Sequence, residues 1–229
     1  MDSPLAHRRI KDHMVEVIDA TNLTPWYRRL TMNAEGLFET HTPDPGAYLN
    51  LNIPVGASTL PRSYTIRGVT PTTFLLEFVL HTPSGPGSEW AASAGPGTTI
   101  TVTEPPYTLA IPDVSRALII ADPSALAGAA SILESIEKKM QVTVLLEDIH
   151  PDRDQIPIPT TGNIVWLDTI DDDVLELATA HLDAQDCFLW AAGERRLAKT
   201  VREFARTEFR VPRSAQHVQT YWISQGRQE

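Results

Sequence analysis

The chain is poor in cysteine, in positive charge and in long apolar runs, and each shortage removes a class of protein. Cys187 is the only cysteine among 229 residues. An intramolecular disulfide is therefore impossible, and a zinc or iron–sulfur centre built from four cysteines of one chain is excluded. Lysine and arginine number 19 against 29 aspartates and glutamates, a formal net charge of −10. That balance argues against a nucleic-acid partner or a general anionic-membrane surface, because both are themselves negative. No apolar run approaches the ~20 residues that a membrane helix needs, so no membrane insertion is expected. Arg8 and Arg9 are followed by no hydrophobic stretch, so the N-terminus does not read as a secretory leader and the expected setting is cytoplasmic. The sequence also lacks GxGxxG, a P-loop and a GxSxG nucleophile elbow. Its histidines, His7, His13, His41, His81, His150, His181 and His217, are scattered without metal-ligand spacing, so no metal site is expected. The hydrophobic content of 42% is enough for a real core in one large or two small domains. Oligomeric state is not encoded in any of these features.

The first half reads as strands separated by Gly and Pro. Residues 14–20 and 28–32 carry apolar side chains at roughly alternate positions, and residues 48–53 alternate as Tyr, Leu, Asn, Leu, Asn, Ile. Residues 62–69, 74–80 and 98–103 follow as further strands, with one or two helical turns over 88–93. Six short strands with such punctuation predict a small antiparallel β-barrel.

The second half alternates differently. Short apolar runs at 117–121, 142–147, 164–167 and 187–192 are interleaved with helical spacing over 125–138, 171–180 and 194–209, and 217–223 is a last strand. Leu197, Val201, Phe204 and Ala205 share one face of the third helix. Strand–helix alternation predicts a doubly wound parallel α/β sheet. The Asp171-Asp172-Asp173 run suits the first turn of a helix better than a cation site. The proline-rich piece 104–113 reads as a linker, which gives two domains, 1–108 and 109–229, and 151–162 reads as a loop.

Two segments carry the most chemistry. In Pro61-Arg62-Ser63-Tyr64-Thr65-Ile66-Arg67, a guanidinium that forks onto phosphate, a flat phenol and a hydroxyl occupy neighbouring positions of one strand. Arg62 and Tyr64 share a face there, and Thr65 points away. An exposed barrel strand with two ordinary arginines explains the heptapeptide equally well. The second segment, His81-Thr82-Pro83-Ser84-Gly85-Pro86-Gly87-Ser88-Glu89-Trp90, reads as a Gly-rich turn opening a short helix with Ser88 as its N-cap. Free amides at a helix start attract an anion, and Gly85 and Gly87 allow a backbone to come close. A Pro/Gly hairpin over a core tryptophan is the other reading. In the second half, Asp122-Pro123-Ser124 and Ala192-Gly193-Glu194 follow predicted strands, where open α/β sheets bind ligands. Both are candidate nicotinamide-nucleotide contacts, although every doubly wound protein has such turns.

In combination these pieces resemble the siderophore-interacting proteins, the ferric-siderophore reductases of the ferredoxin-reductase-like superfamily. The resemblance rests on residues 62–67, then His81, Gly85, Pro86, Ser88 and Trp90, then Trp190-Ala191-Ala192-Gly193-Glu194, then Tyr221-Trp222, in that order along most of the chain. It implies an FAD-binding barrel followed by a domain for NADPH or NADH. Arg62, Ser63, Tyr64 and Thr65 would serve the flavin ring and phosphate. His81, Gly85, Pro86, Ser88 and Trp90 would serve the pyrophosphate and adenine region. Asp122, Ser124, Gly193 and Glu194 would lie on the nicotinamide side, and Tyr221 and Trp222 near the flavin edge. The implied reaction takes electrons from NAD(P)H through flavin to a ferric siderophore, whose iron is released as Fe(II) for iron acquisition. The chain departs from the family pattern at Glu104-Pro105-Pro106-Tyr107 and at Ala121-Asp122-Pro123. Two other functions stay open: a flavin oxidoreductase for quinone, free flavin or a protein acceptor, and a binding protein whose flavin site is weak or lost.

Overall fold

A computed structural model of the chain describes residues 11–34, 36–38, 41–136, 139–160 and 162–224. They form two compact units that divide between Leu109 and Ala110.

The first unit contains β1 (Asp12–Thr24), β2 (Tyr27–Asn33), β3 (Tyr48–Val55), β4 (Ser58–Thr65), β5 (Thr73–Val79), α1 (Pro86–Ser93) and β6 (Thr99–Thr103). The strands are antiparallel in the order β4-β3-β6-β1-β2-β5. β1 is long enough to serve two neighbours. Its first residues pair with β6, and residues from Val17 onward pair with β2, with register shifts between Val17 and Asp19 and between Asn22 and Thr24. Alternate residues point inward, and Val15, Leu30, Met32, Leu49, Leu51, Phe74, Leu76 and Val102 form the core. The far edges are brought together beyond β4, where Arg67 N donates to Leu75 O at 3.1 Å and Leu75 N to Arg67 O at 2.7 Å. This bridge closes the sheet into a barrel.

The expected strand over 62–69 is misplaced. β4 begins at Ser58 because Val55 pairs with Ser58, leaving Gly56-Ala57 as a two-residue hairpin loop. Gly56 takes the left-handed backbone (φ 58°) that such a loop requires. Pro61 is tolerated within β4 because that strand lies at the end of the strand order.

The second unit contains β7 (Arg116–Ala121), α2 (Leu126–Ile136), β8 (Gln141–Glu147), β9 (Asn163–Leu167), α3 (Asp172–Thr179), β10 (Cys187–Glu194), α4 (Arg195–Thr207) and β11 (Gln216–Trp222). All five strands are parallel, in the order β11-β10-β7-β8-β9. Leu118, Ile120, Leu145, Leu189 and Ala191 pack in one cluster with Leu175 of α3 and with Leu197, Val201 and Phe204 of α4. α2 covers the opposite face, where Gly128 lies against Trp190. The sheet is therefore doubly wound, as the alternating pattern predicts. A 3-10 turn over Pro123–Ala125 leads into α2, so the helix starts one residue later than expected, and Lys138, its expected end, lies outside the described residues. The expected loop over 151–162 holds one 3-10 turn, Arg153–Gln155. Asp171 is the N-cap of α3, accepting from Val174 N at 3.0 Å.

Candidate functional site

In the first unit the two chemistry-bearing segments meet. Tyr64, half-buried near the end of β4, lies on Phe78 of β5 with ring centroids 4.3 Å apart, and Trp90 of α1 lies 5.7 Å from the same Phe78 ring. The Tyr64 hydroxyl reaches the first turn of α1, where it fills the space that a side chain on Gly87 would need, with Cζ 3.2 Å from an ideal Cβ there. Burial pushes the Tyr64 phenol up to about 12, partly opposed by the charge of Arg62, so it is a neutral donor at physiological pH.

α1 begins two residues before the expected start. Its N-cap is Gly85, without a side-chain cap, and Pro86 opens the helix. Proline suits that position because its fixed φ is already helical and an N–H there has no helical partner. Ser88 is consequently not the cap. It is buried one turn inside, and its hydroxyl accepts from His81 N at 3.3 Å. His81 in turn contacts Pro83 O through Nδ1 at 2.7 Å and lies beside Gly85. Glu89, in the first turn, accepts from Ser84 Oγ at 2.7 Å. The helix is anchored at its other end by Arg28 Nη2, which donates to Ala94 O at 2.7 Å.

Arg62 and Ser63 stand apart from this cluster. Arg62 is exposed and donates only to its neighbour's carbonyl, Pro61 O at 2.9 Å, and Ser63 Oγ donates to Asn50 at 2.8 Å. Thr65 is buried. Arg67 is also buried and is no exposed strand residue. It pairs with Glu77 at 2.9 Å, and Glu77 also takes Arg29 at 2.5 Å and the Tyr27 hydroxyl at 3.0 Å. His41 and Glu104 pair at 2.6 Å. An exposed guanidinium and a helix start with no side-chain cap are each suited to the phosphates of a dinucleotide. The missing Cβ of Gly87 lets the phenol pack directly on the first turn of α1.

In the second unit, Asp122, Ser124, Gly193, Glu194 and Trp222 converge at the carboxyl ends of β7, β10 and β11. Strand β10 runs to Glu194, two residues beyond the expected end, because Gly193 and Glu194 still pair with Thr220 and Trp222. Glu194 is then the N-cap of α4. Asp122 is buried at the centre. Its Oδ1 accepts from Ser124 N at 2.9 Å and Ser124 Oγ at 2.5 Å, and its Oδ2 from Glu194 N at 2.7 Å and the Trp222 indole at 2.9 Å. Burial raises the Asp122 carboxyl, and these four hydrogen bonds pull it back. For Glu194, burial pushes up but hydrogen bonds from Ser224 and the Arg196 amide prevail, and its carboxyl is lowered. Tyr221 lies with Trp190 against Gly128 of α2, whereas the Trp222 indole is 47% exposed.

Phe78 and Ser224 complete these clusters beyond the residues that the sequence singles out. Phe78 was findable, since it shares the inward parity of Phe74 and Leu76. A cavity of about 640 Å³ between α3 and strands β8 and β9, lined by Leu145, Val165, Leu167 and Val174 among others, includes none of the candidate residues. Among the described residues no group of His, Cys, Asp and Glu is arranged to hold a metal ion, and no helix is long and apolar enough to cross a membrane.

Comparison with known proteins matches residues 114–225 to the model of the siderophore-interacting protein and residues 51–109 to that of the siderophore-interacting FAD-binding domain. The chain belongs to the siderophore-interacting protein family. It is 32% identical over 225 residues to the mycobactin import ATP-binding/permease protein of Mycobacterium tuberculosis, covering 93% of this chain and 26% of that protein. It therefore spans about a quarter of the length of that relative. It is 30% identical over 142 residues to the NADPH-dependent ferric-chelate reductase of Escherichia coli, covering 58% of this chain and 55% of that one. The fold matches that of a siderophore utilization protein from T. fusca with a TM-score of 0.81 at 23% identity, covering 94% of each chain. Within this member of the siderophore-interacting protein family, the FAD-binding match includes β4 and α1, and the other match includes the Asp122 cluster.

Proposed function

We propose that the chain is an FAD-dependent oxidoreductase that passes electrons from NADH or NADPH to a ferric siderophore. The observation that carries the reading is the junction of β4 and α1. There, Tyr64 fills the gap left by Gly87 at a helix start with no side-chain cap, and Arg62 stands exposed two residues earlier on the strand. Membership of the family and the ferric-chelate reductase relative support the same reading.

In this reading Arg62 neutralises the pyrophosphate by a forked contact, and the amides of Gly87 and Ser88 donate to it. Tyr64, held by Phe78, donates a hydrogen bond and offers a ring edge to the flat part of the cofactor. Bound FAD supplies the conversion between a two-electron donor and one-electron acceptors. One NAD(P)H and two Fe(III) give NAD(P)+, two Fe(II) and a proton. Siderophores hold the hard ion Fe(III) far better than Fe(II), so reduction loosens the metal. Electron transfer itself requires no acid–base residue. The mycobactin import relative favours a siderophore acceptor over a quinone.

The test has two stages. Purified chain incubated with excess FAD should keep the absorbance bands of oxidised flavin after gel filtration, and a colourless protein overturns the reading. Reduced anaerobically, it should be reoxidised by ferric catecholate or hydroxamate siderophores faster than by a simple quinone. The reverse order would assign it to the other flavin oxidoreductases.

A further inference from the structure

We propose that Asp122 is the chain's own anion at the place where sheets of this order hold a dinucleotide's pyrophosphate, and that it limits the affinity of the nicotinamide donor. The inference rests on the nucleotide part of the reading above. In the order β9-β8-β7-β10-β11 the winding reverses between β7 and β10, and ligands of such sheets bind outside the carboxyl ends there. A pyrophosphate at that point needs backbone amides that are free to donate.

Here four of the amides are already committed. Pro123 has none. Ser124 N donates to the Asp122 carboxylate at 2.9 Å, and Ala125 N to the Asp122 carbonyl at 3.0 Å. Glu194 N donates to Asp122 Oδ2 at 2.7 Å, and Arg196 N to the Glu194 carboxylate. Gly193, with φ 150°, is shaped around the same carboxylate, since a Cβ there would lie 2.6 Å from Asp122 Cγ. One nearby cation is occupied as well, because Arg196 pairs with Glu147 and donates to Ile170 O at 3.2 Å, whereas Arg195 beside it is exposed. A phosphate approaching the crevice meets two carboxylates and no uncommitted amide among Ser124, Ala125, Glu194 and Arg196.

The test is calorimetric titration of ADP-ribose, which carries the pyrophosphate without nicotinamide, into the full wild-type chain and the Asp122→Asn variant. Asparagine keeps an acceptor for Glu194 N and Trp222 and turns its amide toward Ser124, where it donates to the hydroxyl and leaves the Ser124 N–H without its carboxylate acceptor. Loss of one like charge a few ångströms from the pyrophosphate should tighten binding by at least about tenfold. Equal or weaker affinity overturns the proposal. A second measurement needs no variant: wild-type chain should bind ADP-ribose no more tightly than adenosine, and a preference of about tenfold or more for ADP-ribose overturns the proposal. Neither titration depends on flavin uptake, so failure of the FAD reading and failure of this one are separately visible.

Discussion

The hydroxyl of Tyr64 occupies the space that a side chain at position 87 would fill. The two residues come from β4 and α1, and their fit fixes how the helix start is presented. Gly87→Ala tests that fit. Alanine favours a helix interior by ~1 kcal/mol over glycine, yet here its methyl would collide with the half-buried Tyr64 phenol. The collision should win, with a net loss of about 1–2 kcal/mol in a urea titration, in the range of other overpacking substitutions. Tyr64→Phe combined with Gly87→Ala should recover most of that loss, and a double-mutant cycle showing no coupling would refute the contact.

Arg62 presents the opposite case, a residue with little to lose structurally. It is exposed, and its one hydrogen bond goes to the adjacent carbonyl. Arg62→Ala should leave stability within about 0.5 kcal/mol. If its role is to hold phosphate, FAD affinity should fall by about tenfold or more, since a charge-assisted contact contributes ~1.5–3 kcal/mol. Flavin fluorescence on dilution reports the second quantity, and an unchanged dissociation constant removes Arg62 from the seat.

Both chain halves were legible in the sequence wherever local pattern decides structure. The alternation in β1, β2, β3 and β5 and the apolar runs of β7, β8 and β10 correspond to the strands observed, and α4 buries the face that its spacing predicts. One misplacement occurs where long-range pairing decides. The end of β10 is set by its partners on β11, which no local signal at Gly193 or Glu194 reveals. The start of β4 was readable from the Gly56-Ala57 hairpin, and the start of α1 from Pro86. At the candidate sites, residue types were legible but their partners were not. The bonds from Trp222 and Glu194 to Asp122 span 100 and 72 positions of sequence. The same holds for Arg67, whose burial depends on Glu77 across the barrel.

Glu77 is the next test, because it holds two arginines and a tyrosine in the barrel wall. Its side chain is 1% exposed, and it pairs with Arg67 and Arg29 while accepting from Tyr27. Burial, then the Glu77 charge and hydrogen bond, push the Tyr27 phenol well above its usual value. Glu77→Ala leaves Arg67 buried without this carboxylate and should cost roughly 3–5 kcal/mol, the penalty for breaking a buried pair from one side. Chemical denaturation measures it, and a loss below about 1 kcal/mol, as for an exposed pair, would contradict the burial.

Cys187 opens β10 with its thiol fully buried, and burial pushes that thiol up to about 11. At pH 8 only about one molecule in a thousand then carries the thiolate, which is the reactive form. Ellman's reagent should leave the folded protein unlabelled and titrate one thiol per chain after denaturation. The same shift has a consequence for stability. The folded value lies above the ordinary value of 9.0, so the unfolded chain gives up the proton first as pH rises. The neutral thiol's contribution is complete below pH 9 and is lost as pH climbs toward 11. Relative to Cys187→Ala, which does not titrate there, the wild-type chain should lose up to ~2–3 kcal/mol across that interval. A difference that stays flat with pH would show that the thiol ionises in the folded protein as readily as in the unfolded one.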